Sequence, residues 1–254
     1  MERGRVRKRE PKPLILTGHG VYLGVNHGAL VVRNGFTHYP QKREERRLFP
    51  GDRKLPNSQV HKSALLKLDG ALQELEHPIA DVETLRLIEG RAALAYFGCW
   101  QSIPLKWKGV GRHPIPLEWM AVGQRESLLT GVNRNANHPV NAILNYAYGV
   151  LESQVRIATV ASGLDPAIGY LHACRPGRSA LVYDLMEPLR PMVDRLILQF
   201  IRSHTFTPAD FPIMPKGVCR LHPQLAKTVA GLAVSEERVK AGLDEFTGCL
   251  KKIP

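Results

Sequence analysis

The pattern of apolar residues changes near residue 58, from an extended pattern to a helical period. Before this point, β-branched and aromatic residues are interrupted by glycines and by Asn-Gly turn signals, which is typical of short strands. The strands are predicted at about 14–17, 20–25 and 29–33. A segment rich in charge and proline follows and marks a domain boundary. The pattern therefore predicts an α+β fold, with a basic tail, a small β module and a linker in residues 1–57 and a larger all-α domain in residues 58–254.

The second part of the chain carries apolar residues at helical spacing in five segments. Helices are predicted from Ser58 to before Pro78 and at about 82–100, 139–163, 184–204 and 235–250. Pro139 suits the first position of a helix, and Gly163 suits the position just after its end. The intervening residues 101–137 hold three prolines, four glycines and two tryptophans, and are predicted to be largely irregular.

Basic residues outnumber acidic ones, and this excess bears on the binding partner of the protein. The chain has 35 Lys and Arg against 23 Asp and Glu, a formal charge of +12 and a pI near 9.8. Residues 1–56 alone hold 13 basic and 5 acidic side chains. This balance indicates a polyanionic partner, nucleic acid first. The basic opening is equally typical of a solvated tail and of an arm that grips phosphates.

Cysteine usage and hydropathy bear on the compartment. The four cysteines, Cys99, Cys174, Cys219 and Cys249, are scattered without a CxxC pair, which argues against a structural zinc site and for a reducing compartment. The charged opening does not resemble a signal peptide. Since no apolar run approaches the roughly 20 residues that span a bilayer, we expect a cytoplasmic protein without a membrane anchor.

A polar stripe accompanies the apolar face of the predicted helix after Pro139. Asn145, Tyr148, Glu152 and Arg156 follow one another at spacings of three, four and four. At about 100° per residue, these side chains fall within about 80° of one another on the helix surface. Such a stripe is typical of a solvated face, and it is also a way to line up groups for chemistry.

Candidate metal ligands lie in three consecutive segments. Glu152 belongs to the polar stripe, His172 lies in a loop-like segment, and Asp184 and Glu187 follow in LVYDLMEPLRP. A lone histidine is more often a structural hydrogen-bonding group, and the two acids also fit the spacing of a helix capping box. Together, Glu152, His172 and Glu187, with Asp184 beside the last, form an oxygen and nitrogen set that suits Mn²⁺ or Mg²⁺. A divalent ion in a basic protein indicates phosphodiester chemistry.

Three motifs in order carry a family resemblance. NHPVNAILNYAYGVLE, GLDPAIGYLH and LVYDLMEPLRPMVDR resemble the signature segments of CRISPR-associated protein one, the catalytic integrase of spacer acquisition. The resemblance implies an N-terminal β domain for dimerisation and a helical catalytic domain. It also implies catalytic metal ligands at Glu152, His172 and Glu187, with Asp184 as a neighbouring acid. Compared with the family pattern, the front domain of this sequence is shorter by several strands.

The resemblance implies a DNA integrase and endonuclease. In this activity, the 3′-hydroxyl of a short DNA fragment attacks a phosphodiester at the boundary of a CRISPR repeat. The implied partners are double-stranded DNA, further copies in a homodimer or higher homo-oligomer, and CRISPR-associated protein two. We expect DNA contacts from six residues: Arg134, Asn145, Tyr148, Arg156, Arg175 and Arg178. The alternative role for Asn145 and Tyr148 is to support the metal ligands.

Other functions remain open at the level of sequence. A metal-dependent nuclease that cuts branched or single-stranded DNA without integrating it is compatible with a shortened front domain. A catalytically idle DNA-binding scaffold subunit would not need intact Glu152, His172 and Glu187. A related integrase of a mobile element, which inserts its own DNA ends, has no distinguishing feature in this sequence.

Overall fold

Helices dominate the part of the chain that the structure describes. The computed structural model describes residues 58–75, 77, 82–101, 103–123, 136–169, 172, 174 and 176–250. The strands predicted within residues 1–57 lie outside the described residues. The helices are α1 (Ser58–Glu74), α2 (Val82–Gly98), α3 (Pro139–Ala161), α4 (Ala180–Met186), α5 (Arg190–Ser203), α6 (Pro223–Ala230) and α7 (Glu236–Leu250).

Helices α1 and α2 pack against each other and enclose a small apolar core. This core consists of Leu68 and Ala71 from α1 and Ile88 and Ala92 from α2. Both helices begin where the sequence predicts, and they end a few residues earlier than predicted. The helical spacing of leucines and alanines therefore predicts correctly that these two segments are helices with an apolar face, and the two faces pack together.

Helix α3 lies at the centre of the larger core, against α4, α5, α6 and α7. Pro139 is its first residue, where the missing N–H of proline costs nothing. The side chain of His138 caps this end, because its Nδ1 accepts a hydrogen bond from Val140 N–H at 3.2 Å. Just past the other end, Gly163 has a φ of +74°, a conformation that favours glycine. Both predicted ends of this helix are confirmed.

The helix predicted at 184–204 is in fact two helices joined by a 3-10 turn. Helix α4 begins at Ala180, so Asp184 lies in its second turn, fully buried, and not at a cap. The capping interpretation of Asp184 is therefore wrong. The turn Glu187–Leu189 separates α4 from α5 because Pro188 and Pro191 have no N–H to donate to the preceding turn. The N–H of Arg190 instead bonds to the Glu187 carbonyl.

In its described residues, the domain predicted to be all-α also contains four strands of two residues each. They are β1 (Lys106–Trp107), β2 (Thr205–Phe206), β3 (Ile213–Met214) and β4 (Val218–Cys219). β1 pairs with β2 in parallel, and β3 pairs with β4 in antiparallel orientation. Two residues are too few to show an alternating pattern, which is why the sequence did not predict these strands. Short helix α6, which was also not predicted, begins with Pro223 after the capping side chain of His222.

An aromatic cluster joins these strands to the main core. The rings of Trp107 and Trp119 stack with their centroids 6.1 Å apart, and Phe206 and Phe211 pack against them. The indole N–H of Trp107 donates to the Trp119 carbonyl at 2.9 Å. Residues 103–123 are thereby held against Phe206 in β2 and against Phe211 shortly after it. Within the described ranges, no helix has both the length and the apolar character required to cross a bilayer.

Candidate active site

Glu152 projects from the middle of α3 and is held by two neighbouring side chains. Its Oε1 accepts a hydrogen bond from Arg156 Nη2 at 2.6 Å and one from the Tyr183 hydroxyl at 3.4 Å. Arg156 also donates to the hydroxyl of Ser179, the residue just before α4. The polar stripe is thus more than a solvated face, because Glu152 and Arg156 connect α3 to the start of α4.

The stripe borders a cavity of about 660 Å³. Asn145, Tyr148 and Glu152 line it from α3, and Tyr183 and Arg190 line it from the following segments. Cys219, the last residue of β4, and the two residues after it, Arg220 and Leu221, also line the cavity. A volume of this size is typical of sites that receive a group as large as a nucleotide.

Cys219 does not supply a nucleophile to this cavity. Burial raises the pKa of its thiol to about 12, against a smaller lowering by the charge of Arg220. The thiol is therefore protonated at neutral pH, and a thiol is a poor nucleophile and metal ligand compared with a thiolate. The groups that line the cavity and can take part in chemistry are the carboxylate of Glu152, the tyrosines and the arginines.

His172 and Asp184 form the second part of the site. Oδ1 of Asp184 accepts from the backbone N–H of His172 at 3.0 Å and lies 2.7 Å from its ring Nδ1. Asp184 is fully buried, whereas His172 is partly exposed. An ionised carboxylate can only accept, so Nδ1 carries the proton in this contact and the lone pair resides on Nε2. Asp184 therefore fixes both the orientation of the ring and its tautomer.

Glu187 forms the third part, in the 3-10 turn between α4 and α5. Its side chain is almost fully buried, and its Oε1 lies 2.8 Å from Nη1 of Arg190. The side chain of Tyr148 from α3 lies beneath this arginine, with the guanidinium carbon 5.4 Å from the ring centroid. The Tyr148 hydroxyl donates to Asp194, a buried acid on α5.

Tyr183 contacts the first two parts and precedes the third by one turn. Its hydroxyl bonds to Glu152, its ring centroid lies 5.6 Å from that of His172, and it precedes Asp184 directly. Glu187 follows Tyr183 by four residues, one turn further along the chain. Sequence reasoning did not single out Tyr183, Arg190 or Asp194. The spacing of Tyr183 and Arg190 within the YDLMEPLR motif, one turn before and three residues after Glu187, is the signal that points to the first two.

Two of the candidate ligands form ion pairs with arginines in this structure. Glu152 bonds to Arg156 and Glu187 bonds to Arg190. Among the described residues, no three His, Cys, Asp or Glu side chains lie close enough together to hold a metal ion. Of the expected DNA contacts, Arg178 is exposed, whereas Arg134 and Arg175 lie outside the described residues.

The chain is similar to known proteins over most of its length. Residues 43–233 match the family model described as CRISPR associated protein Cas1. The CRISPR-associated endonuclease Cas1 of Korarchaeum cryptofilum is 38% identical over 134 residues, which cover 52% of this chain and 35% of that protein. The corresponding protein of Rhodospirillum rubrum, named CRISPR-associated endonuclease Cas1 2, is 34% identical over 180 residues, which cover 70% of this chain and 47% of that protein. The matched segment thus spans less than half the length of either relative.

Solved structures share the fold at low sequence identity. A casposase bound to its integration product aligns with a TM-score of 0.58 and 19% identity, over 85% of this chain and 55% of that one. A partial Cas6-RT-Cas1–Cas2 complex contains a chain that aligns with a TM-score of 0.60 and 18% identity, over 85% of this chain and 61% of that one. Together with the family model, which matches well over half of the sequence, these similarities show that the chain belongs to the Cas1 family.

Proposed function

We propose that this protein is a metal-dependent DNA integrase that inserts short DNA fragments into a CRISPR array, with residues 58–254 as its catalytic domain. The observation that carries the proposal is that Tyr183 contacts both Glu152 and His172, the partner of Asp184, beside a nucleotide-sized cavity, with Glu187 one turn further along the chain. Membership of the Cas1 family supports it, as does the shared fold with a casposase bound to its integration product.

The donor set fits Mg²⁺ or Mn²⁺. Two carboxylates and one imidazole are compatible with either ion, and the Asp184 contact leaves Nε2 of His172 as the nitrogen with a lone pair. Glu152, His172 and Glu187 would hold the ion. Once bound, it would neutralise charge on a phosphate and lower the pKa of the attacking hydroxyl.

The proposed reaction exchanges one phosphodiester bond for another. The 3′-hydroxyl oxygen of the incoming fragment forms a bond to phosphorus at the repeat boundary, and the bond from that phosphorus to the departing 3′-oxygen breaks. The departing oxygen takes up a proton, and the attacking hydroxyl loses one. Since the number of phosphoester bonds does not change, no separate energy source is required. Because metal binding would occupy the Nε2 lone pair, His172 cannot also accept that proton.

Positive charge around the cavity is suited to holding the DNA backbone. Arg190 and Arg220 line the cavity. Arg156 follows Glu152 by four residues, and Arg178 follows His172 by six. Contacts of this kind position a duplex without reading its bases. We propose Arg134, Arg175, Asn145 and Tyr148 as further contributors to DNA binding, and double-stranded DNA as the substrate.

Assembly with other chains belongs to the same proposal. A partial Cas6-RT-Cas1–Cas2 complex contains a chain of the same fold. We therefore propose that this protein acts as a homodimer or higher homo-oligomer together with a Cas2 protein. Two copies of the site, held at a fixed separation, would allow both ends of a fragment to be joined.

A strand-transfer assay tests the proposed function. Purified protein, with and without a Cas2 protein, is incubated with Mn²⁺, a labelled DNA fragment with free 3′-hydroxyls and a supercoiled plasmid bearing a repeat array. We expect label to join the plasmid, and Glu187→Gln to lower joining by about 100-fold or more, since even residues that only support metal ligands cost about 10–100-fold. Asp69→Asn, an exposed acid on α1, is the matched control and should leave joining unchanged.

The other results of this assay contradict the proposal in different ways. Cleavage without joining would favour a nuclease. Equal joining by Glu187→Gln and the parent would remove Glu187 from the site. Neither cleavage nor joining by the parent, even with the Cas2 protein present, would favour a scaffold role.

A further inference from the structure

We propose that Asp194 is a positioning residue that acts through Tyr148 and Arg190 to hold the Glu187 carboxylate in place. This inference rests on the proposed function, because it assumes that Glu187 binds the metal ion. It assigns a role to Asp194 and a second role to Arg190, which also lines the cavity.

Asp194 is buried in the main core and bonded to another helix. Its side chain belongs to α5 and is 3% exposed, and its Oδ1 accepts a hydrogen bond from the Tyr148 hydroxyl on α3. A buried carboxylate is costly unless it is paired, and a pair of apolar side chains would fill the same space at no such cost. We therefore expect Asp194 to fix the orientation of α3 relative to α5 more than it stabilises the fold.

Tyr148 contacts both ends of the first turn of α5. Arg190 and Asp194 are four residues apart, so they lie on the same face of this helix. The tyrosine hydroxyl bonds to Asp194, and the face of its ring lies against the guanidinium of Arg190. This arrangement restricts the arginine to one side of the ring, since a guanidinium is attracted to the ring face.

Arg190 in turn holds Glu187. Its Nη1 lies 2.8 Å from Oε1 of Glu187, one turn earlier in the chain. The contacts therefore run from Asp194 to Tyr148, from Tyr148 to Arg190 and from Arg190 to Glu187.

The same tyrosine relates Glu187 to Glu152. Tyr148 and Glu152 are four residues apart on one face of α3, a rise of about 6 Å. A rotation or shift of α3 against α5 would change the Tyr148 contacts and the separation of the two carboxylates together. We infer that the Asp194–Tyr148 bond fixes how the two acids face each other.

The test compares Mn²⁺ affinity with folding. Asp194→Asn and Tyr148→Phe keep the shapes of their side chains and alter the bond between them, and Arg190→Lys keeps the charge but loses the planar group over the ring. Mn²⁺ binding to each folded, DNA-free variant is measured by calorimetry, and its thermal midpoint is measured without metal. Thr159→Val removes another buried hydroxyl of α3, which bonds to the Val155 carbonyl, and serves as the matched control.

We expect each of the three variants to weaken Mn²⁺ binding by about 10-fold or more, whereas Thr159→Val leaves it unchanged. The double variant of Tyr148→Phe and Asp194→Asn should lose no more affinity than the stronger single variant, since both act through one bond. If the variants shift the thermal midpoint as Thr159→Val does but keep the parental Mn²⁺ affinity, the positioning role is wrong and the proposed function stands. If the parent binds no Mn²⁺, both the proposed function and this inference fail.

Discussion

The hairpin of α1 and α2 and the region from α3 to α5 differ in the kind of side chain that they bury. The core cluster of the hairpin consists of four small or aliphatic residues, and leucines such as Leu66 and Leu94 remain more than 70% exposed. The region from α3 to α5 buries three acids, Asp184, Glu187 and Asp194, each with a bonded partner. Burial of paired charge costs stability, so its concentration in one region marks that region as the functional one.

The largest expected effect follows from removing a buried acid of the second region. Asp184→Ala leaves the backbone N–H and the ring of His172 without the contacts that Asp184 provides. We expect strand transfer to fall by about 10–100-fold and the free energy of unfolding to fall by about 1–3 kcal/mol. Asp184→Asn, which keeps an acceptor oxygen, should lose activity with a smaller loss of stability. Chemical denaturation and the joining assay measure the two quantities, and full joining by Asp184→Ala would contradict the role of this acid.

The next effect separates the two apolar cores. Ile143→Ala in the centre of α3 should lower the free energy of unfolding of the whole described domain by about 2–5 kcal/mol. Ile88→Ala belongs to the hairpin core, so it should increase hydrogen exchange in α1 and α2 and leave that of α3 to α5 unchanged. Exchange that rises equally in both regions after Ile88→Ala would show that they unfold as one unit.

How much the sequence predicts also differs between the two regions. The hairpin and both ends of α3 follow from periodicity and from Pro139 and Gly163, because these signals are local. The capping interpretation of Asp184 failed because two acids three residues apart also occur in the interior of a helix. Asp184 lies inside α4, where its carboxylate accepts from the backbone N–H of His172 and not from the start of its own helix. The contacts of Tyr183 and Asp194 with α3 span 31 and 46 residues. Spacing within the YDLMEPLR motif can point to Tyr183, but no local pattern predicts its partner or singles out Asp194.

A pH dependence should arise at the cap of α3. Nε2 of His138 contacts the carbonyls of Glu118 and Ala121, and Nδ1 accepts from Val140 N–H, so the neutral ring is the one that fits. Burial lowers the pKa of His138 below its ordinary value of 6.5. The unfolded chain therefore binds this proton more readily, and the stabilisation is complete above about pH 6.5 and is lost as the pH falls towards the lowered pKa.

Thermal melts between about pH 7.5 and 5 measure this effect. The midpoint of the parent should fall with pH, and that of His138→Gln should start lower and fall less. His113→Gln, an exposed histidine, is the matched control and should keep the parental slope. Parallel slopes for the parent and His138→Gln would contradict the assignment of this dependence to the cap.

The smallest expected effect is on the surface of the hairpin. Arg91 and Glu74 form an ion pair with side chains that are 62% and 47% exposed. Because solvent screens such a pair, Arg91→Ala should change the free energy of unfolding by less than about 1 kcal/mol. Denaturation at low and high salt measures the change, and a larger, salt-dependent loss would show that the hairpin relies on charge as the second region does.

The central claim is that Glu152, His172 and Glu187 form a single metal site. A crystal structure with Mn²⁺, recorded at a wavelength where manganese scatters anomalously, tests it most directly. The account predicts one anomalous peak in contact with the two carboxylates and with Nε2 of His172, at about 2.0–2.2 Å from each ligand atom. A peak that contacts other residues, or crystals grown in Mn²⁺ without a peak at these three side chains, would contradict the claim.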